Sequence, residues 1–229
     1  MKPVTVTIAG TTRGMRRLLP IAIFTIPFGI AFGAAAAERG LDPGFTIAMS
    51  AIVFSGAAQF ATLDFWGSHI AYGSLALVTL AISARHIVLG AAVAPWVNQL
   101  PLAKRLPVLV WLSDANFADS QPAFRSGETD VGLLLGGGLV LWASWITGTA
   151  FGVIAGRAIG DVATYGLDVV MICFFAAILA GQMRVRSAIA PACVGAVTAV
   201  AALAWLPPGW TIVAGAVAGG CVSVLFHAE

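Results

Sequence analysis

Long apolar runs that carry almost no charge are the feature that most constrains this chain. A helix needs about 20 consecutive apolar residues to cross about 30 Å of hydrocarbon. Seven windows in the sequence have this length: Leu18–Ala37, Gly44–Leu63, Ile70–Val97, Val131–Ala155, Val162–Gly181, Ser187–Leu206 and Gly209–Phe226. Inside lipid every backbone polar group must be satisfied, and a helix does this within one segment. The runs predict an all-α, polytopic helical membrane protein with seven or eight transmembrane segments.

Charge content agrees with this class. Only 10% of the 229 residues are charged, whereas soluble domains carry about 25%. The net charge of +2 argues against a nucleic-acid partner. Three arginines, Arg13, Arg16 and Arg17, precede the first run, which we interpret as an uncleaved first helix with a cytoplasmic N-terminus. No soluble domain fits between the runs, so residues 1–229 form one membrane domain.

The stretch Leu106–Phe124 is ambiguous, because its first half is apolar and its second half contains Asp114, Asn116 and Asp119. The positive-inside rule compares the alternatives. If the stretch spans, Lys2, Arg13, Arg16, Arg17, Arg125, Arg184 and Arg186 lie inside, seven basic residues against four outside. If it does not span, the count is five inside against six outside. A spanning or deeply re-entrant stretch is favoured.

A short pattern occurs twice along the chain. Gly29-Ile30-Ala31-Phe32-Gly33 in the first run is echoed by Gly148-Thr149-Ala150-Phe151-Gly152 in the fourth. Each is followed by a second apolar run that ends near a glutamine, Gln59 or Gln182. Transporters often contain such repeats, with the binding site between them. The echo is compatible with two structural repeats over residues 15–124 and 131–227, or with a chance likeness of Gly-Ala-Phe-rich helices.

Arg85 is the most informative polar residue, since it lies halfway along the run Ile70–Val97. A charged side chain at membrane depth costs about 2.5–3.5 kcal/mol on insertion scales and marks wet or protein-lined positions. Its guanidinium stays protonated and needs a carboxylate. Asp114 and Asp64 are the internal candidates. The pair is either a permanent bridge between helices or a gate that yields to a substrate carboxylate.

Two further polar elements lie at membrane depth. His86 follows Arg85 and could relay protons, although a hydrogen-bonding neighbour of the arginine is the simpler interpretation. In Phe54-Ser55-Gly56-Ala57-Ala58-Gln59-Phe60, small residues permit close packing or local unwinding. Gln59 then contacts either a solute or a neighbouring helix.

Pro27 interrupts the first run just before Gly29. A proline removes one backbone donor and frees a carbonyl one turn earlier. The result is either a simple kink or a discontinuous helix whose ends bind solute.

No catalytic constellation competes with these features. The histidines lack metal-ligand spacing and the serines lack a nucleophile elbow, so we expect no enzyme activity, no metal and no cofactor. Five tryptophans near run ends fit interfacial belts: Trp111, Trp142, Trp145, Trp205 and Trp210.

Together, the motifs resemble those of the AzlC family of bacterial branched-chain amino-acid exporters. The motifs that carry the resemblance lie between residues 15 and 120: Pro27-Phe28-Gly29-Ile30-Ala31-Phe32-Gly33, Phe54-Ser55-Gly56-Ala57-Ala58-Gln59-Phe60, Arg85-His86, and Ser113-Asp114 with Phe117. The resemblance implies an inner-membrane permease that exports amino acids such as valine, leucine or isoleucine. It also implies a small second membrane subunit of the AzlD type. Ser83, Leu89 and Ala115 depart from the family pattern.

We therefore expect a secondary transporter, coupled to an ion gradient or to solute exchange; a membrane scaffold subunit and a channel are the alternatives. The expected substrate-binding or gating residues are Arg85, His86, Ser55, Gln59, Asp114 and Asn116. The expected hinge residues are Pro27, Gly29, Gly33 and Gly56.

Overall fold

The structure is a computed structural model that describes residues 3–66, 72–159, 186–206 and 210–226, together with residues 176, 180 and 183. Among these residues the regular structure is helical, apart from one isolated bridge between Thr5 and Asp130. Three helical stretches are long and apolar enough to cross a membrane: Ile8–Glu38, Tyr72–Val97 and Gly132–Gly156. The all-α membrane class is confirmed. The predicted segment Val162–Gly181 lies outside the described residues.

Ten helices are defined within the described ranges. They are α1 (Ile8–Glu38), α2 (Pro43–Ile52), α3 (Gly56–Asp64), α4 (Tyr72–Ser83), α5 (Arg85–Val97), α6 (Leu102–Val110), α7 (Asp114–Arg125), α8 (Gly132–Ile159), α9 (Arg186–Ala202) and α10 (Trp210–Phe226).

The chain divides into two compact units. The first contains Met1–Gln59 and Ser83–Val162, and the second contains Phe60–Ile82 and Ala163–Glu229. In the second unit, α9 and α10 pack closely as an antiparallel pair. A Cβ added at Gly215 would lie 2.7 Å from the Gly195 carbonyl oxygen, and one added at Gly219 would lie 2.8 Å from that of Pro191. All remaining geometry concerns the first unit.

The frame of the first unit is a parallel pair, α1 and α8, held together by glycines along its length. A Cβ at Gly14 would overlap the Leu133 carbonyl, and a Cβ at Gly33 would overlap that of Thr149. Near the middle, a Cβ at Gly29 would lie 2.7 Å from the Trp145 carbonyl oxygen. Contact residues advance together along both helices, so the pair is parallel. The echoed segments, Gly29–Gly33 and Gly148–Gly152, pack against each other in the carboxyl-terminal halves of the two helices.

The discontinuity expected at Pro27 is absent, because α1 is helical from Ile8 to Glu38 through both Pro20 and Pro27. A proline removes one intrahelical hydrogen bond, and packing can compensate for that loss. Here the turns of α1 that follow Pro27 contact the backbone of α8 directly at Gly29 and Gly33. The two glycines are therefore contact points between helices in this structure, and the helix around Pro27 is uninterrupted.

Asp130 joins the amino ends of α1 and α8. Its carboxylate accepts from the Thr7 amide at 3.1 Å, from the Thr7 hydroxyl, and from the Gly132 amide at 2.9 Å. A carboxylate at this position satisfies orphan donors and complements both helix dipoles. The amino ends of the pair are thus fixed at one level.

The ambiguous stretch Leu106–Phe124 folds as a helix–break–helix hairpin. Helices α5 and α7 run parallel, since Arg85 contacts Asp114 at their amino ends and the Trp96 and Phe124 rings stack at 5.3 Å near their carboxyl ends. The connecting helix α6 must therefore run in the opposite direction. The hairpin begins and ends near Asp130. Phe124, at its end, packs in one buried cluster with Val97 and Leu100, which precede the hairpin, and with Val131, which follows Asp130. The stretch is thus a hairpin of two short helices in place of one continuous helix.

Candidate functional site

The second apolar run is broken in its middle, between α2 and α3. Residues Val53–Ser55 leave the helical path, and Ser55 donates its amide to the Val53 carbonyl at 2.8 Å. In a continuous helix, Ser50 and Gln59 would lie about 13 Å apart along the axis. Instead the Gln59 Nε2 donates to the Ser50 Oγ at 2.9 Å. The chain therefore folds back at the break, and Gly56 begins the returning helix.

Gln59 is the centre of a buried polar network and is itself fully buried. Its Oε1 accepts from the Trp145 indole nitrogen at 2.8 Å, and its Nε2 donates to Ser50. Ser50 and Thr149 share a hydrogen bond of 2.9 Å, and Thr149 donates back to the Trp145 carbonyl at 3.0 Å. Both polar atoms of the amide have protein partners, which favours the packing alternative for Gln59 over direct contact with a solute.

A second break, Trp111–Ser113, lies between α6 and α7. Asn116 fixes the backbone conformation of this break through hydrogen bonds. The Asn116 Oδ1 accepts from the Ser113 amide at 2.7 Å, and its Nδ2 donates to the carbonyls of Trp111 at 2.8 Å and Leu134 at 3.0 Å. This buried side chain has its donors and its acceptor engaged within the protein. Its geometry is that of a support for the break.

The two breaks converge on the same part of the α1–α8 pair. Phe54 from the first break and Ala115 from the start of α7 both pack against the cluster of Leu18, Ala22 and Leu141. Trp142 of α8 connects the breaks directly. Its indole nitrogen donates to the Ala51 carbonyl at 2.9 Å, and its ring meets the Trp111 ring edge-on at 5.8 Å.

Arg85 and Asp114 form an ion pair of 3.0 Å between the first residues of α5 and α7. Their side chains are 41% and 56% exposed. Asp114 begins α7, whose amino end carries partial positive charge, so one helix dipole and one guanidinium meet a single carboxylate here. Arg85 lies within the helical stretch Tyr72–Val97. This arrangement suits an added anionic group.

The other predicted site residues are distributed around this centre. The Ser55 Oγ is buried and, within the described structure, has no hydrogen-bond partner. His86 is half-buried, and its Nδ1 lies 3.2 Å from the Ser83 carbonyl oxygen. The Asp64 side chain and Gln182 lie outside what is described. Among the described residues, no group of three or more His, Cys, Asp or Glu side chains could hold a metal ion.

Sequence reasoning missed Ser50, Thr149 and the two tryptophans of α8. The expectation of an interfacial belt is wrong for Trp145, which is 9% exposed and stacks on Phe32 at 6.3 Å. Trp142 likewise serves an interhelical hydrogen bond. Proximity to a run end suggested the interface, whereas both residues lie well inside α8. The only available signal was the position of Thr149 within the echoed pattern.

Comparison with known proteins adds a family. The model of the AzlC protein family matches residues 20–159, more than half of the chain. Inner membrane protein YgaZ of Escherichia coli (strain K12) is 28% identical over 149 residues, which cover 64% of this chain and 61% of that protein. An uncharacterized membrane protein of Archaeoglobus fulgidus is also 28% identical over 149 residues, covering 64% of this chain and 63% of that protein.

The chain thus spans less than two thirds of the length of these curated relatives. No solved structure matches it.

Proposed function

Because the chain belongs to the AzlC family, we propose that it is the transporting subunit of a secondary transporter that exports branched-chain or related small amino acids across the bacterial inner membrane. The observation that carries this proposal is the half-exposed Arg85–Asp114 pair, in which Asp114 begins α7 directly after the break Trp111–Ser113. Broken helices with amino ends directed at anionic groups are a recurring device of transporter sites. Together with the family, this arrangement favours transport over a purely structural role.

The ion pair suits recognition of a zwitterion. An amino acid presents one carboxylate and one ammonium, so it replaces the internal pair without changing the net charge. The substrate carboxylate binds Arg85 and the amino end of α7, and the ammonium binds Asp114. Two charged side chains with about half their surface exposed would be costly against lipid. We therefore place them in a wet cavity, where a solute reaches them.

Ser55 supplies a further contact in this scheme. A buried hydroxyl with no partner costs about 1–3 kcal/mol, a cost that a bound substrate removes. Its place at the α2–α3 break puts it next to backbone groups that are released from helical pairing. Gln59 and Asn116 act indirectly, by holding the two breaks in position.

Charge distribution supports a cytoplasmic N-terminus. Among the residues of the first unit that the structure describes, six basic ones lie near the amino ends of α1 and α8: Arg13, Arg16, Arg17, Lys104, Arg105 and Arg125. Two lie near the opposite ends, Arg39 and Arg157. An excess of Lys and Arg marks the cytoplasmic side. Transport is coupled to the proton gradient or to solute exchange, and it requires a small AzlD-type subunit, as the family resemblance implies.

Efflux of radiolabelled valine, leucine and isoleucine from proteoliposomes tests the proposal, with an AzlD-type subunit co-reconstituted. Arg85→Gln and Asp114→Asn should each reduce efflux at least about tenfold, because each removes a charged hydrogen bond worth about 1.5–3 kcal/mol. The pair Arg13–Glu128, with a similar N–O distance of 2.9 Å, is the control. Its neutralisation by Arg13→Gln should leave efflux within about twofold of the parent chain.

The double exchange Arg85→Asp/Asp114→Arg distinguishes a pair that binds substrate from a pair that only joins two helices. It can rebuild the internal ion pair but presents both charges in the wrong order to an oriented substrate. We expect restored stability without restored efflux. Efflux equal to that of the parent chain would assign the pair a bridging role and favour the scaffold alternative.

A further inference from the structure

The first ten residues of α1 extend beyond its apolar run. Helix α1 begins at Ile8, whereas the apolar run begins at Leu18. At 1.5 Å per residue, this extension is about 15 Å long. Arginines that immediately precede a membrane-spanning run lie at the level of the lipid headgroups.

One face of this extension lines an open cavity of about 600 Å³. The lining residues recur at helical spacing and therefore share a face: Ala9, Thr12, Arg13, Arg16 and Arg17. The other face of the same turns carries Gly10 and Gly14, which pack against Asp130 and the backbone of α8. The basic face is thus turned away from the helix pair.

Two of the three guanidinium groups are held by carboxylates from α7 and the loop after it. Arg17 donates to Asp119 at 2.9 and 3.2 Å, and Arg13 lies 2.9 Å from Glu128. Both arginine side chains remain about half exposed, at 46% and 51%. Arg16 lies between them, is exposed, and has no ion-pair partner in the part of the chain that the structure describes. The site keeps one uncompensated positive charge and unused N–H donors.

We propose that this face, Ala9, Thr12, Arg13, Arg16 and Arg17, binds the phosphodiester of an anionic lipid headgroup. Planar guanidinium groups bind phosphate oxygens in pairs of hydrogen bonds, and Thr12 adds a hydroxyl. The ion pairs with Asp119 and Glu128 hold two arginines at the sides of the cavity, so Arg16 makes the principal contact. Free phosphate shares this chemistry, but the headgroup level favours lipid. The inference is independent of the transported solute.

Lipid retention by the purified full-length chain tests this site. The protein is exchanged into phosphatidylcholine nanodiscs that contain increasing fractions of phosphatidylglycerol, and bound lipid is counted by native mass spectrometry after release. Arg16→Gln should weaken phosphatidylglycerol retention about fivefold, the effect of one basic residue near an anionic surface. Arg125→Gln removes a charge outside the cavity lining and should change retention by less than twofold.

Three results would overturn the assignment. One is equal loss of retention in both variants, which would mean general electrostatic attraction. Another is parent protein that retains phosphatidylglycerol no better than phosphatidylcholine. The third is inorganic phosphate at millimolar concentration displacing the lipid and raising the melting midpoint as phosphatidylglycerol does, which would assign the site to free phosphate.

Discussion

Replacement of Gln59 by leucine tests whether the polar network at the first break is structural. The side chain is fully buried, so a leucine of similar volume fills the space without forming either hydrogen bond. Ser50 keeps its 2.9 Å hydrogen bond to Thr149, whereas the Trp145 indole N–H loses its partner at Gln59. The substitution therefore leaves one buried hydrogen-bond donor, the Trp145 indole N–H, without its partner.

One stranded donor costs about 1–3 kcal/mol, and hydrogen bonds between membrane helices reach about 1–2 kcal/mol in favourable cases. We expect Gln59→Leu to lower the unfolding free energy by about 2 kcal/mol. For a soluble chain of this size, that change corresponds to about 4–8 °C in melting midpoint. Thermal unfolding in detergent, followed by tryptophan fluorescence, measures the shift, and Trp145 is itself a reporter of the change.

Ser55→Ala is the matched control, four residues away. Its hydroxyl is buried and has no hydrogen-bond partner in the described structure, so its removal should leave the unfolding free energy unchanged or raise it by up to about 1–3 kcal/mol. If Ser55 contacts substrate, the same variant should raise the KM for efflux. An unaltered melting midpoint in Gln59→Leu, with a lowered one in Ser55→Ala, would refute the division of roles between these two residues.

Three further predictions address packing, capping and orientation. Gly33→Ala should destabilise the chain by about 1–3 kcal/mol through overpacking against α8. Gly90 has open space around it, so Gly90→Ala should be neutral or stabilising by up to about 1 kcal/mol. Thermal unfolding of the two variants measures the difference. Asp130→Ala should cost about 1–2 kcal/mol by uncapping α1 and α8, with faster amide hydrogen exchange in their first turns. In a background without native cysteines, Lys104→Cys should react with impermeant thiol reagents only from the cytoplasm and Arg39→Cys only from outside, and the reverse pattern would invert the proposed orientation.

The helix class and the polar positions of interest were predictable from the sequence, because both follow from the cost of polar groups in lipid. Long apolar runs leave helices as the available structure, and a charge within such a run, as at Arg85, indicates a wet or protein-lined position. Likewise, Ser55-Gly56 suggested local unwinding, and the break between α2 and α3 lies there. Each inference uses a property of one segment.

The positions of the other breaks depended on contacts between segments. Pro27 predicted either a kink or a discontinuous helix, and packing of Gly29 and Gly33 on α8 accompanies an uninterrupted α1. The break at Trp111–Ser113 contains no glycine or proline, and Asn116 supports it through a carbonyl of α8. A local pattern does not specify which neighbour will satisfy a freed backbone group, because that neighbour is distant in sequence.

The roles of Gln59 and Arg85 differ for the same reason, because each role depends on neighbours that are distant in sequence. Hydropathy identifies both as expensive residues in an apolar run, but it says nothing of their partners. Gln59 is enclosed by Ser50 and Trp145 from two other parts of the fold, while Arg85 meets Asp114 and both side chains stay about half exposed. One polar side chain thereby supports the fold and the other remains accessible to a solute. Burial and partner distances distinguish them, and both exist only once the helices have packed.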